Sequence, residues 1–184
     1  MKGYYRNEAA TREAIDPDGW FHTGDIGVLD ADGFLAITDR KKDLIVTAGG
    51  KKLAPQPIEN RLKTNPYIAE ILLVGNRRRF PSALVVPNFE KLTVWASSQG
   101  ILADNKDAKN DRQELVRHPR VIAFIQRQID EMTSDLAQFE KIKKVTLLAR
   151  EFTLEGGEIT PTLKVKRNVI EDRFAEVIEQ MYRE

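Results

Sequence analysis

Residues 39–52 read Asp39-Arg40-Lys41-Lys42-Asp43-Leu44-Ile45-Val46-Thr47-Ala48-Gly49-Gly50-Lys51-Lys52. Five consecutive charges precede a short apolar run at 44–46, which predicts a strand. Two glycines follow, permitting backbone shapes closed to other residues. The sequence on either side of this stretch is patterned differently, so the charged run marks a domain boundary. By itself such a run is most simply a solvated linker. Its position also suits a hinge, because hinges are a few element-terminal residues that absorb backbone rotation.

Upstream, turn chemistry recurs at Asp16-Pro17-Asp18-Gly19 and Asp30-Ala31-Asp32-Gly33, with Gly24 and Gly27 between. Short apolar stretches separated by such turns predict a β-meander. The expected strands are Trp20-Phe21, 26–29 and 34–38, with Asp32-Gly33 closing a hairpin between the last two. Three short strands make a marginal sheet, so a packing partner absent from this sequence is expected.

Downstream, residues 55–64 predict a helix with Ile58 and Leu62 on one face, started near proline and ended before Asn65-Pro66. Apolar runs at 71–74 and 83–86 flank a turn with Arg77-Arg78-Arg79 and predict a hairpin. Residues 89–144 read as mostly helical, because Val121, Ile125, Ile129 and Met132 recur at spacings of three and four. The polar stretch 102–112 reads as an exposed loop. A strand at 145–148, a flexible turn at 155–158 and one final helix lined by Val169, Ile170, Phe174, Val177 and Met181 complete the chain. Strands and helices that segregate rather than alternate regularly predict an α+β fold.

The chain has 184 residues, 41% of them hydrophobic, enough for one good core. Lys and Arg total 29 against 28 Asp and Glu, a balance of +1. No global field therefore draws in nucleic acid or an anionic membrane, and anion binding must be local. Cysteine is absent, which removes disulfides and sulfur ligands and fits a cytoplasmic setting. His22 and His118 show no metal-ligand spacing, so no metal site is expected. Arg77, Arg78 and Arg79 have only Phe80 as a neighbouring aromatic, which argues against nucleic-acid binding.

Chemistry is concentrated in four places. In His22-Thr23-Gly24-Asp25 a carboxylate stands beside a glycine that lets a ligand approach the backbone, and two acceptor oxygens suit a pair of vicinal hydroxyls; a turn-capping aspartate explains the same residues. In the charged run, Arg40 can donate to a nucleotide oxygen. Gly49 and Gly50, followed by two lysines, could admit an extended ligand, or form a plain turn. Finally, Gly156-Gly157-Glu158-Ile159-Thr160-Pro161-Thr162-Leu163-Lys164-Val165-Lys166-Arg167 reads as a flexible arm ending in three cations. A cation cluster at a helix N-terminus opposes the helix dipole, which favours a functional over a solvating role.

In this order, Met1-Lys2-Gly3-Tyr4-Tyr5, Gly19-Trp20-Phe21-His22-Thr23-Gly24-Asp25, Asp39-Arg40-Lys41-Lys42-Asp43 and the segment 160–167 closely resemble successive motifs of the adenylate-forming superfamily, the AMP-dependent acyl-CoA synthetases. The resemblance covers nearly the whole chain and is closest to long-chain fatty acid CoA ligases, on Thr-Pro-Thr-Leu-Lys-Val-Lys-Arg and on a helical insertion at about 89–140. Many relatives write Ser-Gly-Lys-Ile where this chain has Thr162-Leu163-Lys164-Val165.

The resemblance implies that residues 1–41 are terminal β-strands of an N-terminal AMP-binding domain, and that 42–184 form the C-terminal lid. Asp25 and Arg40 would hold the nucleotide, Lys42 would be the hinge, Lys164 the adenylation lysine, and Gly49 or Gly50 the lining of the CoA tunnel. The implied substrates are a fatty acid, ATP and CoA, with Mg²⁺ bound outside this chain. The chain is then expected to be a C-terminal piece of a longer enzyme, truncated from it and inactive alone, with the missing N-terminal domain as its main partner and room for peripheral membrane contact. Two alternatives stand beside this one: an acyl-AMP ligase delivering to a carrier protein, and a lid-like binding module without catalysis.

Overall fold

The computed structural model describes residues 1–101, 108–162 and 164–183, and of residues 108–111 the backbone only. Contacts divide the chain into two units, residues 1–44 and 45–184.

The first unit begins with helix α1 (Glu8–Ala14), which the turn-rich pattern did not predict. Asn7 caps it, its side-chain oxygen accepting the Ala10 N–H at 3.0 Å, and Glu8 pairs with Arg12 one turn on. None of its residues is buried, so no apolar period announced it. Trp20-Phe21 does not form the expected strand; Phe21 makes a single bridge to Ile15.

Strands β1 (Asp25–Leu29) and β2 (Leu35–Arg40) form the expected antiparallel hairpin. Its turn is held by Asp30, whose carboxylate accepts the N–H groups of Asp32 and Phe34. Gly33 takes φ +84 there, open to glycine at little cost. A single 3-10 turn, Lys41–Asp43, ends the unit. Among its described residues only Asp39 is buried, while Leu29 and Phe34 are 69% and 72% exposed. This unit therefore has no apolar core of its own.

The second unit opens with β3 (Ile45–Val46) and β4 (Lys52–Leu53), a two-stranded ladder around the paired glycines. Helix α2 (Pro55–Leu62) follows with proline in its first turn and buries Pro55, Ile58, Glu59 and Leu62. Strands β5 (Ile68–Val74) and β6 (Ser82–Pro87) pair antiparallel as expected. Helices α3 (Phe89–Ser98), α4 (Ala108–Arg117) and α5 (Pro119–Met132) come next, then β7 (Lys144–Leu147), parallel to β6.

Parallel neighbours cannot be joined by a tight turn, so the helices serve as the crossover that a β6–β7 pair requires. The helices of the stretch anticipated as an insertion lie within this connection, and the last of them ends at Met132 rather than near 140. Residues 108–112, anticipated as loop, belong to α4; the rest of that anticipated loop, 102–107, lies outside the described residues.

The mixed sheet in the order β5-β6-β7, with helices packed on it, is the α+β architecture the sequence predicted. Leu62, Leu73, Leu84, Leu92, Leu115, Ile125, Ile129 and Ile170 are fully enclosed. Each such side chain contributes about 1.5–3 kcal/mol relative to exposure. His118 is a cap: its Nδ1 accepts the Arg120 N–H at the start of α5.

The chain ends in two helices rather than one, α6 (Arg167–Arg173) and α7 (Ala175–Tyr182), separated at Phe174. Arg167, one of the three cations for which a functional rather than a solvating role is expected, is turned inward and serves the packing of the unit. Its guanidinium donates to the Leu73 carbonyl and, at 2.7 Å, to Glu59, whose carboxylate also accepts the Leu73 N–H at 2.7 Å. Both charged side chains are largely buried. Removing one partner strands the other charge in a poorly solvated site. Arg167→Ala is therefore expected to destabilise the chain by on the order of 3 kcal/mol, read as a lower urea midpoint with unchanged slope; a midpoint equal to that of the unaltered chain would show the pair to be dispensable.

Candidate functional site

Asp25 and Arg40 face each other across the β1–β2 ladder, at the end where the strands leave the hairpin. Arg40 Nε lies 2.9 Å from Asp25 Oδ1, with the aspartate side chain 25% exposed. One carboxylate oxygen is thereby held by a cation while the group still reaches solvent. The turn before it is braced by the Asp25 N–H donating to Thr23 Oγ1 and by Gly24, at φ +74, whose carbonyl accepts the Lys41 N–H. An open cleft of about 810 Å³ runs past these groups, lined in part by Tyr4, His22, Thr23, Gly24, Asp25 and Lys41. An anchored carboxylate on an open cleft can accept hydrogen bonds from two neighbouring hydroxyls. Lys42 occupies the middle of the 3-10 turn and is exposed.

In the second unit the paired glycines form the tip of the β3–β4 ladder. Thr47 N–H donates to the Lys51 carbonyl and Gly50 N–H to that of Thr47. The tip is pinned to the β5–β6 turn, where Ala48 N–H donates to the Arg78 carbonyl and Arg77 N–H to that of Val46. Gly50 requires its lack of a side chain, at φ +76; Gly49 does not, and a Cβ on it would meet open space. Lys51 lies over the Phe139 ring at 5.9 Å.

Lys164 sits on a narrow hairpin-like loop. Its N–H donates to Thr160 Oγ1 and its carbonyl accepts the Thr160 N–H at 2.8 Å, while Ile159 bridges Val165 and the Lys166 N–H donates to the Glu158 carbonyl. The side chain is exposed, and among the described residues its ammonium has no ion-pair partner. Leu163, part of the motif, lies outside the described residues. The loop that follows Gly156-Gly157 is tied to the body of the unit through Glu158. Glu158 is fully buried and takes hydrogen bonds from Arg150 through both guanidinium nitrogens, from Arg173 and from the Thr153 N–H. Burial alone would raise the Glu158 carboxyl, but these donors outweigh it and hold it below the usual carboxylate range.

Among the described residues no three His, Cys, Asp or Glu side chains gather as a metal site, so no ligand for a metal ion can be named here.

Residues 42–184 match the model of the AMP-binding enzyme C-terminal domain. The chain belongs to the adenylate-forming enzymes. It is 41% identical over 182 residues to the long-chain-fatty-acid CoA ligase FadD15 of Mycobacterium tuberculosis, covering 99% of this chain and 29% of that protein. It is 40% identical over 187 residues to the peroxisomal long chain acyl-CoA synthetase 6 of Arabidopsis thaliana, covering 99% of this chain and 26% of that one. The chain thus spans under a third of the curated relatives it matches. In fold it is similar to the A domain of a carboxylic acid reductase from Segniliparus rugosus, solved with AMP and a carboxylic acid, with TM-score 0.79 at 23% identity over 99% of this chain and 26% of that one.

Of the residues singled out from sequence, the structure brings Asp25 and Arg40 into contact. Lys42 lies in the first unit with them; Gly49, Gly50 and Lys164 lie in the second. Sequence reasoning missed Glu158, Thr160 and the two arginines on Glu158. Arg150, Glu158 and Arg173 are too far apart for any local period to connect them. Within this adenylate-forming chain, Gly50→Ala is expected to cost about 1–2 kcal/mol by forcing a left-handed backbone on a residue with a Cβ. Gly49→Ala should stay within about 0.5 kcal/mol of the unaltered chain. Urea unfolding of the two variants checks this, and equal costs would contradict the assignment of the strained position to Gly50.

Proposed function

We propose that this chain is the C-terminal part of an ATP-dependent ligase that joins a long-chain fatty acid to CoA through an acyl-AMP intermediate. The observation that carries the reading is the exposed Lys164 ammonium on a doubly anchored loop, in a chain 41% identical to a long-chain-fatty-acid CoA ligase. The reaction has two steps. A carboxylate oxygen of the fatty acid attacks the α-phosphorus of ATP, forming the acyl C–O–P link while the bond to the β-phosphate breaks and pyrophosphate leaves with the electron pair. The thiol of CoA then loses its proton and attacks the acyl carbon, expelling AMP.

The first step brings two anions together, and a positioned ammonium that touches both lowers that barrier. Lys164 takes this role. Asp25 accepts hydrogen bonds from the ribose hydroxyls and Arg40, already clamped to Asp25, contributes a cation toward the nucleotide. Lys42, exposed in the turn that ends the first unit, is the pivot that withdraws Lys164 and presents the Gly49-Gly50 loop for the second step. Mg²⁺ accompanies the ATP phosphates and has no ligand assigned in this chain. The setting we assign is cytoplasmic.

Residues 1–41 belong, on this reading, to a larger domain whose remaining strands cover the apolar side chains that the first unit leaves exposed. That larger part of the protein also holds the acyl pocket. The chain alone is then inactive. CoA is preferred over a carrier-protein thiol as acceptor because the matched relatives at about 40% identity are CoA ligases.

In the complete ligase, Lys164→Ala is expected to slow acyl-adenylate formation by about a hundred-fold or more while sparing thioester formation from supplied acyl-AMP. Lys42→Pro should do the reverse, leaving adenylation running and blocking the second step. Pyrophosphate release and acyl-CoA formation, measured separately, decide this. Equal losses in both half-reactions for Lys164→Ala would refute its role.

A further inference from the structure

We infer that Glu158 is a positioning residue for adenylation, acting through Lys164 rather than on the substrates. This rests on the adenylation role given to Lys164 above. The chain passes from Glu158 to Lys164 and back to Lys166 within one narrow loop, with the Glu158 carbonyl accepting the Lys166 N–H at 2.7 Å. The side chain of Glu158 points the other way, into the body of the unit, where it is fully enclosed. There it ties three segments together.

Arg150, three residues beyond the end of β7, grips both carboxylate oxygens, at 2.6 and 3.0 Å. Arg173, the last residue of α6, reaches one of them at 2.9 Å and also donates to the Gly156 carbonyl at 2.8 Å. The Thr153 N–H takes the remaining acceptor site, and the Glu158 N–H returns a hydrogen bond to the Thr153 carbonyl. Arg150 further lies over the Phe174 ring, at 5.1 Å, where α6 gives way to α7.

A carboxylate with four donors on it has one orientation. Its backbone, and therefore the start of the loop that carries Lys164, is fixed with respect to the sheet and the last two helices. Without that anchor, Gly156 and Gly157 would leave the loop free to drift, and a lysine displaced by about an ångström loses most of its electrostatic advantage. On the other side of Lys164, Arg167 is locked to Glu59 and Leu73, so the Lys164 loop is held at both ends. Glu158 is the end that faces the glycines.

Glu158→Gln keeps the shape and removes the charge that both arginines bind. In the complete ligase this variant is expected to lower the maximal rate of acyl-adenylate formation by about ten- to a hundred-fold, with KM for ATP within about two-fold of the unaltered enzyme. Thioester formation from supplied acyl-AMP should be unchanged, and Glu158→Asp should recover part of the adenylation rate. A merely structural glutamate would depress both half-reactions together, and that outcome, or unchanged adenylation, overturns the proposal. If Glu158→Gln does not fold, Arg150→Gln, which leaves Arg173 on the carboxylate, is read by the same split. Lys164→Ala run alongside separates the two claims: a selective adenylation loss there without one in Glu158→Gln defeats the positioning role alone, whereas no selective loss in Lys164→Ala defeats the reading beneath it.

Discussion

Leu73 sits on the open edge of the three-stranded sheet and turns both its N–H and its carbonyl away from β6. A buried edge cannot leave such groups unpaired, because each would cost about 1–3 kcal/mol. Glu59 from α2 accepts the one, Arg167 at the start of α6 donates to the other, and the two charges satisfy each other. Three distant parts of the sequence are thereby fixed at one point. The consequence reaches beyond stability, since the residue that seals the edge lies three positions after Lys164. Closing the sheet and placing the lysine are the same event.

The two units divide the work unequally. The second has a dry core, a mixed sheet and helices made obligatory by a parallel strand pair. The first has a capped helix, a hairpin and an ion pair between Asp25 and Arg40, with apolar side chains such as Leu29 and Phe34 left in water. Such exposure is costly at roughly 25 cal/mol per Å². It stands in a chain that spans under a third of the curated relatives it matches. Within the first unit the Asp25 carboxylate is braced on an open cleft, and within the second the Lys164 ammonium stands exposed on a braced loop.

Much of this was legible because it is written in local patterns. Apolar runs around a turn gave β5 and β6, spacings of three and four gave α5, and Asp32-Gly33 gave the first hairpin. Asp25 and Arg40 stood out as charges beside a glycine turn and at a boundary, and the ladder register then set them opposite each other. What escaped was non-local or had no apolar signature. Helix α1 buries nothing, so only its cap at Asn7 could have revealed it. The ties of Glu158 to Arg150 and Arg173 join residues with no periodic relation, and beside Gly156-Gly157 the glutamate read as part of a loose turn. Arg167 reads only as one of three clustered cations, because nothing in its neighbours announces that Glu59 and Leu73 await it.

The adenylation role proposed for Lys164 requires its ammonium to reach the phosphates of ATP. Affinity labelling of the complete ligase with a lysine-reactive ATP analogue bearing an aldehyde on its phosphate chain, followed by peptide mapping, tests it most directly. Labelling is expected to concentrate on Lys164 and to be suppressed when ATP and a fatty acid are both added. Labelling of Lys164 no faster than that of other exposed lysines, and indifferent to ATP, would contradict it.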